Sequence, residues 1–125
     1  MLVVEDDADI AESLADWLDG ERFGVDVARD GETAIERARR LIPDVVLLDL
    51  MLPRLDGFGV AEALRRLHME DVPVILLSAG RHLSEAAERV GTPYYLHKPY
   101  GLDELLALIR RALDEHPPSG SHAPV

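Results

Sequence analysis

Short apolar runs alternate with amphipathic helical patterns along this chain, and that alternation predicts its fold class. The runs are too short for helices and apolar on both faces, as parallel strands covered by helices are. Together with the five helical patterns, one after each run, they predict an α/β fold with a parallel sheet and helices on both faces. The runs are Leu2–Glu5, Val25–Ala28, Asp44–Asp49, Val74–Ser78 and Tyr94–His97.

Helical spacing and terminal signals predict where the helices lie. The expected N-caps are Asp30, Asp56 and Ser84, and the expected stop signals are Gly20, Gly24, Pro43 and Gly91. The side chains expected in the core are Ile10, Leu14, Trp17 and Leu18, then Ala34, Ile35, Ala38 and Leu41, then Val60, Ala61, Leu64 and Leu67, and finally Leu102, Leu105, Leu106, Ile109 and Leu113.

Composition restricts the class of protein. A chain of 125 residues has room for one core, and we expect this domain at residues 1–113, with a Pro-, Gly- and Ser-rich tail or linker at 114–125. No apolar run approaches the roughly 18 residues that a membrane helix needs. The absence of cysteine excludes disulfides and thiolate metal sites. We therefore expect a cytoplasmic protein with no membrane partner.

The net charge of −11 argues against direct binding of nucleic acid, which requires clustered basic side chains. The densest basic group is Arg37, Arg39 and Arg40, and Glu32 and Glu36 lie beside it in the sequence. That mixture is typical of a solvated helix face.

Polar side chains stand at the C-terminal ends of four predicted strands. Alone, each has an ordinary explanation, such as a helix N-terminus, a turn or a surface lysine. Ligands of open α/β sheets bind beyond these strand ends, however, so their joint placement indicates a site. The residues are Glu5, Asp6 and Asp7 after the first strand, Asp49 at the end of the third, Ser78 at the end of the fourth and Lys98 after the fifth.

The residue types in this set predict phosphoryl transfer. Two carboxylates about 4 Å apart repel by roughly 4 kcal/mol at an effective dielectric near 20, and a hard divalent cation removes that repulsion. Mg²⁺ binds one or two carboxylates and leaves space for phosphate oxygens. With Asp49 as nucleophile, Lys98 as a cation and Ser78 as a hydroxyl, the set supplies what positioning and charge neutralisation of a phosphoryl group require.

Four separated motifs resemble the receiver domain of two-component response regulators: VVEDD, DVVLLDLMLPRLDG, VILLSA and YYLHKPY. The resemblance extends over about residues 1–113 in order and spacing. It implies a flavodoxin-like, doubly wound sheet of order 2-1-3-4-5 with five helices. It further implies a signalling switch rather than an enzyme, which takes its phosphoryl group from a sensor histidine kinase or a histidine phosphotransfer protein.

The resemblance also implies a role for each site residue. Asp49 corresponds to the phosphoacceptor and Asp6 to the direct Mg²⁺ ligand, while Glu5 acts through a metal-bound water. The backbone carbonyl of Met51 corresponds to a further ligand. Lys98 corresponds to the lysine that pairs with the phosphoryl group, and its bond to Pro99 resembles the family's cis peptide.

The implied switch involves Ser78 and Tyr95. Ser78 corresponds to the hydroxyl that moves toward the phosphoryl group, and Tyr95 to the aromatic side chain that then turns inward. The surface around the fourth helix, fifth strand and fifth helix would change for an effector domain or output protein.

The chain departs from the family pattern at several positions. Thr92-Pro93 stands where many relatives carry acidic residues of a dimer interface, so we expect a monomer or a weak dimer. Met51 and Gly80 occupy positions thought to tune hydrolysis, and neither side chain can hold an attacking water. We therefore expect slow to moderate loss of the phosphoryl group.

Three other functions are compatible with parts of the pattern. A degenerate receiver that only docks partners would usually lack an acid or the lysine. A flavodoxin-type FMN carrier would be yellow, and its first loop would have to cradle phosphate among acidic residues. A small-molecule phosphohydrolase would show turnover and would need a lid or second domain.

Overall fold

A computed structural model describes residues 1–50, 57–66 and 72–116 of the chain. Strands and helices alternate through these ranges, and the strands form one parallel sheet of order β2-β1-β3-β4-β5. The predicted fold class, strand order and number of helices are therefore confirmed. The elements are β1 (Leu2–Val4), α1 (Ala8–Gly20), β2 (Asp26–Ala28), α2 (Gly31–Arg40), β3 (Val46–Asp49), α3 (Gly57–Arg66), β4 (Val74–Ser78), α4 (Leu83–Val90), β5 (Tyr95–His97) and α5 (Leu102–Glu115).

The central strands β1, β3 and β4 are covered on both faces, which explains why they are apolar up to the polar residues Asp49 and Ser78 that end β3 and β4. The edge strands β2 and β5 are more exposed. Alternate strand residues belong to opposite cores. Leu48 and Leu76 pack with residues of α2, α3 and α4 on one face. Leu47 and Ile75 pack with residues of α1 and α5 on the other. Burying each such side chain contributes about 1.5–3 kcal/mol, so these two cores hold the strand ends in place.

The winding of the sheet reverses between β1 and β3. The chain passes from β1 to β2 on one side, and β3 then pairs with β1 on the other. The residues that follow β1 and end β3 consequently lie next to each other at the C-terminal edge. This edge carries the candidate site.

Local sequence signals correctly predicted three helix ends. Asp30 caps α2 by accepting a hydrogen bond from the Thr33 N–H at 2.7 Å. Gly91 ends α4 with a left-handed φ of 87°, which glycine adopts without strain. Both predictions are confirmed, as is the end of α2 before Pro43.

The prediction that Ser84 caps α4 is wrong. The helix begins at Leu83, two residues before the start that a Ser84 cap would give, and His82 occupies the cap position without a capping side-chain bond. Leu83 is buried in the core, so packing of its side chain draws the start of the helix toward the sheet. The predicted cap Asp56 and core residue Leu67 lie outside the described residues.

Three side chains expected in the core are exposed. Leu41 is 79% exposed because α2 has already ended and the backbone there is extended, so helical spacing no longer applies. Ile10 and Leu102 are 45% and 44% exposed. Both lie in the first turn of their helices.

Several boundaries differ from the prediction by short lengths. The observed strands exclude Glu5, Val25, Asp44, Val45 and Tyr94. Helix α5 runs to Glu115, past the predicted end at Leu113. The predicted tail at residues 114–125 thus begins in helix, and its part from 117 onward lies outside the described residues. Among the helices in the described ranges, none is long and apolar enough to cross a bilayer.

Candidate functional site

Three carboxylates meet at the C-terminal edge of the sheet. Glu5 follows β1 directly and Asp49 ends β3, and the parallel pairing of Val4 with Leu48 sets them side by side. Glu5, Asp6 and Asp49 each offer an oxygen, and these oxygens lie within 4.8 Å of one another. Glu5 and Asp49 are buried at 4% exposure, while Asp6 is exposed. The predicted acidic cluster is present, with one member open to solvent.

Lys98 enters this cluster from β5. Its ammonium nitrogen Nζ donates to Asp49 Oδ2 at 3.0 Å and lies 3.7 Å from Glu5 Oε2. The backbone N–H of Lys98 also donates to the Ser78 carbonyl oxygen at 2.8 Å, which ties the end of β5 to the end of β4. The Lys98–Pro99 peptide bond is cis, as the resemblance implied.

The electrostatics of the cluster follow from this packing. Burial, then the hydrogen bond and charge of Asp49, raise the pKa of Glu5 to about 7, against the opposing charge of Lys98. Burial by itself would lower the pKa of Lys98, but the hydrogen bond to Asp49 and the charges of both acids outweigh it and raise that pKa. Near neutral pH the Glu5 carboxyl therefore holds a proton for part of the time, even beside the lysine.

The donor set fits Mg²⁺. All three side chains offer oxygen, the ligand atom that this hard cation prefers, and the exposure of Asp6 leaves room for waters and for a phosphate oxygen. A cation would also relieve the repulsion that raises the pKa of Glu5. The further predicted ligand, the Met51 carbonyl, lies outside the described residues.

Asp7 does not join the cluster. Its Oδ1 accepts hydrogen bonds from the backbone N–H groups of Asp9 at 3.0 Å and Ile10 at 3.1 Å, so it is the N-cap of α1. The three acidic residues after β1 therefore have two different roles. Asp7 caps a helix, whereas Glu5 and Asp6 form part of the pocket.

The two predicted switch residues occupy different environments. Ser78 is buried at 3% exposure at the end of β4, and its Oγ accepts a hydrogen bond from the Gly80 N–H at 2.9 Å. Tyr95 is 42% exposed at the start of β5. The structure thus places Ser78 on the strand end that holds Lys98, while Tyr95 lies at the opposite end of β5.

Two features escaped sequence reasoning. Arg29 follows β2, and its Nη2 donates to the Asp6 carbonyl oxygen at 3.0 Å. This bond connects the residues after β1 to the end of the neighbouring strand β2. The sequence signal that could have indicated this contact is the position of Arg29 directly after a predicted strand.

The second feature is Tyr94, which is buried at 1% exposure and donates its hydroxyl to Glu115. The Arg111 guanidinium carbon lies 5.1 Å from its ring centroid. Burial, then the hydrogen bond and charge of Glu115, raise the pKa of Tyr94 to about 12. The sequence does not indicate which of the adjacent rings of Tyr94 and Tyr95 is buried.

Comparisons with known proteins agree with one another. The family model of the response regulator receiver domain matches residues 1–110. The response regulator MprA of Mycobacterium leprae (strain TN) is 42% identical over 115 residues, which are 90% of this chain and 50% of that protein. The chain therefore spans about half the length of the curated relatives it matches.

Solved structures show the same fold. The receiver domain of the Francisella response regulator 1452 superposes with a TM-score of 0.82 at 31% identity, covering 91% of this chain and 95% of that one. The chemotaxis protein CheY4 of Vibrio cholerae has a TM-score of 0.82 at 26% identity, covering 90% and 96% of the two chains. The pocket of Glu5, Asp6 and Asp49 is consistent with a phosphoacceptor site.

Proposed function

This chain belongs to the receiver domain family of two-component response regulators, which are signalling switches rather than enzymes, and on that premise we propose that Asp49 accepts a phosphoryl group in a Mg²⁺-dependent reaction. The observation that carries the proposal is the convergence of Asp49 with Glu5, Asp6 and Lys98 on one pocket, which is open to solvent at Asp6. Two neighbouring acids and one ammonium group can bind a cation and an incoming phosphate oxygen around a single carboxylate nucleophile.

The proposed transfer starts from a phosphohistidine of the donor. A carboxylate oxygen of Asp49 attacks phosphorus, a new P–O bond forms, and the P–N bond breaks while the leaving imidazole takes a proton from solvent. The Lys98 ammonium, already 3.0 Å from Asp49, neutralises charge on the transferred group. The Ser78 hydroxyl donates to a phosphoryl oxygen.

We assign the cation to Asp6, Asp49 and Glu5, with Glu5 acting through water, and to the Met51 carbonyl. When bound, Mg²⁺ neutralises phosphoryl oxygens. The cation would reach Asp6 from solvent, and the buried ends of β1 and β3 would hold Glu5 and Asp49 in position around it.

The proposed output is a change of surface. Movement of Ser78 toward the phosphoryl group carries the β4 end with it, and Lys98 moves in concert because its N–H is bonded to the Ser78 carbonyl. Tyr95, exposed in the resting chain, then turns inward. The surface formed by α4, β5 and α5 changes for the output partner.

The donor that fits this chemistry is a sensor histidine kinase or a histidine phosphotransfer protein, in the cytoplasm. Because the relatives named response regulator MprA are about twice as long as the matched segment, we propose that an effector domain or a separate output protein reads the switch. We assign the receiver to residues 1–113 and a linker to 114–125, in a monomer or weak dimer. The net charge of −11 disfavours direct nucleic-acid binding by this domain.

The test is labelling with acetyl phosphate and Mg²⁺, read by intact-protein mass spectrometry. The wild-type chain should gain one phosphoryl group and lose it over minutes or longer, and Asp49→Ala should gain none. Asp44→Ala, an exposed aspartate just before β3, is the matched control and should label like wild type. Unchanged labelling of Asp49→Ala would refute the assignment, and a half-life of seconds would refute the expected slow hydrolysis.

A further inference from the structure

The Ser78 hydroxyl is already bonded in the resting chain. Its Oγ accepts the Gly80 N–H at 2.9 Å, so the oxygen is held close to the backbone two residues ahead. The same hydroxyl keeps its own proton for donation. If Ser78 is to move toward a phosphoryl group, the bond with Gly80 has to be given up.

The absence of a side chain at Gly80 is what permits this bond without crowding. A Cβ at that position would lie 3.2 Å from Ser78 Oγ, closer than ordinary van der Waals contact. The Gly80 φ is not in the left-handed region, so alanine fits the backbone there and the added methyl group acts through its contact with Ser78. Gly24 provides a contrast, because a Cβ there meets nothing within 4 Å.

Ser78 is linked to Asp49 through Lys98. Its carbonyl oxygen accepts the Lys98 N–H at 2.8 Å, and the Lys98 ammonium reaches Asp49 at 3.0 Å. A change in the position of Ser78 therefore reaches the lysine through one backbone hydrogen bond.

We propose that Gly80 is a positioning residue for the switch: its N–H holds the Ser78 hydroxyl in the resting arrangement, and release of this bond accompanies activation. The inference rests on the proposed phosphorylation of Asp49. It goes beyond it by identifying the hydrogen bond between Gly80 and Ser78 as the interaction that favours the resting state over the activated one. Gly80→Ala should weaken the resting arrangement and shift the equilibrium toward the activated one. The shift should be roughly 2- to 10-fold, which one hydrogen bond of ordinary net strength supports.

The first experiment needs no phosphoryl chemistry. Exchange of the Gly80 amide proton with water is measured by NMR in EDTA for wild type, Ser78→Ala and Ser78→Thr. Removal of the acceptor should speed exchange severalfold, and threonine, which keeps the hydroxyl, should restore slow exchange. Equal rates in wild type and Ser78→Ala would overturn the inference.

The second experiment measures binding of beryllofluoride with Mg²⁺ by NMR titration of Lys98, the only lysine in the chain, with ¹⁵N-lysine labelling. Gly80→Ala should bind roughly 2- to 10-fold more tightly than wild type. Gly24→Ala should match wild type. In a Ser78→Ala background the effect of Gly80→Ala should vanish, because there is no hydroxyl left to displace.

The outcomes separate this inference from the proposed function. Equal affinity of Gly80→Ala and wild type, or the same gain in the Ser78→Ala background, would overturn the inference while leaving Asp49 phosphorylation intact. If wild type and Asp49→Ala responded alike to beryllofluoride, the proposed function would fail. The amide-exchange result, which does not involve Asp49, would then still report whether the resting bond exists.

Discussion

Replacing Lys98 with methionine should destabilise the metal-free protein in a pH-dependent manner. The lysine is the cation that faces both buried acids, with Nζ 3.0 Å from Asp49 and 3.7 Å from Glu5. Methionine keeps much of the side chain's length and apolar contact but removes the charge. The variant therefore isolates the electrostatic contribution of Lys98 to the fold.

The size of the effect follows from the geometry. A 3.0 Å ion pair is worth about 5 kcal/mol at an effective dielectric near 20. The net loss is smaller for two reasons: the lysine side chain is 26% exposed, and Glu5 can take up a proton once the lysine is gone. We expect a loss of about 2 kcal/mol near pH 8 and less than about 1 kcal/mol near pH 6.

The pH dependence has a definite sign. A carboxyl whose pKa is raised on folding contributes stability below its unfolded pKa, and this contribution is lost as the pH rises through the folded pKa. For Glu5 that window runs from 4.5 to about 7. Without Lys98, whose charge lowers the pKa of Glu5, the window extends further upward, so the variant is penalised most at alkaline pH.

The assay is urea unfolding in EDTA near pH 6 and pH 8, followed by the fluorescence of Trp17, the single tryptophan. Lys98→Arg, which retains the charge, is the control and should lose much less. Saturating Mg²⁺ should restore most of the stability of Lys98→Met through linkage, because a cation again balances the acids. Equal stability of Lys98→Met and wild type near pH 8 in EDTA would refute this account of the cluster.

Three further substitutions test other parts of the structure. Glu5→Gln should flatten the metal-free stability curve between pH 4.5 and about 7, where wild type should lose on the order of 1–3 kcal/mol, and a curve still falling as in wild type would count against the raised pKa of Glu5. Asp30→Ala should cost about 1 kcal/mol in urea unfolding by removing the N-cap of α2, and a neutral result would contradict that role. Tyr94→Phe should lower the thermal midpoint of unfolding by a few degrees, because it removes a hydrogen bond to Glu115 that contributes about 1 kcal/mol to stability. An unchanged midpoint would show that this bond does not stabilise the fold.

The candidate site could be predicted because its residues are placed by the sheet. Glu5, Asp49 and Ser78 follow or end buried strands, and Lys98 follows the edge strand β5. Strands that run parallel bring such positions to one edge whatever the details of the helices. The apolar runs identify the strands, and strand order then decides which ends are neighbours. Little side-chain geometry is needed to reach that conclusion.

Other features depend on packing that local patterns do not encode. Ser84 resembles an N-cap in sequence, but burial of Leu83 moves the start of α4. Leu41 continues the apolar spacing of α2, yet the helix has ended, and its side chain lies in solvent. The contact of Arg29 with the Asp6 carbonyl joins two loops, and its existence depends on the register of β1 against β2.

The bond between Tyr94 and Glu115 fixes the position of the C-terminal end of α5. Tyr94 lies just before β5, and Glu115 is the last residue of α5, so the helix terminus is fastened to the edge of the sheet opposite Lys98. The C-terminal end of α5 thus lies at the N-terminal edge of the sheet, at the other end of the strands from Asp49. Any signal from the acidic pocket to the end of α5 must therefore be transmitted through displacement of β5 or α5, because the two lie at opposite edges of the sheet.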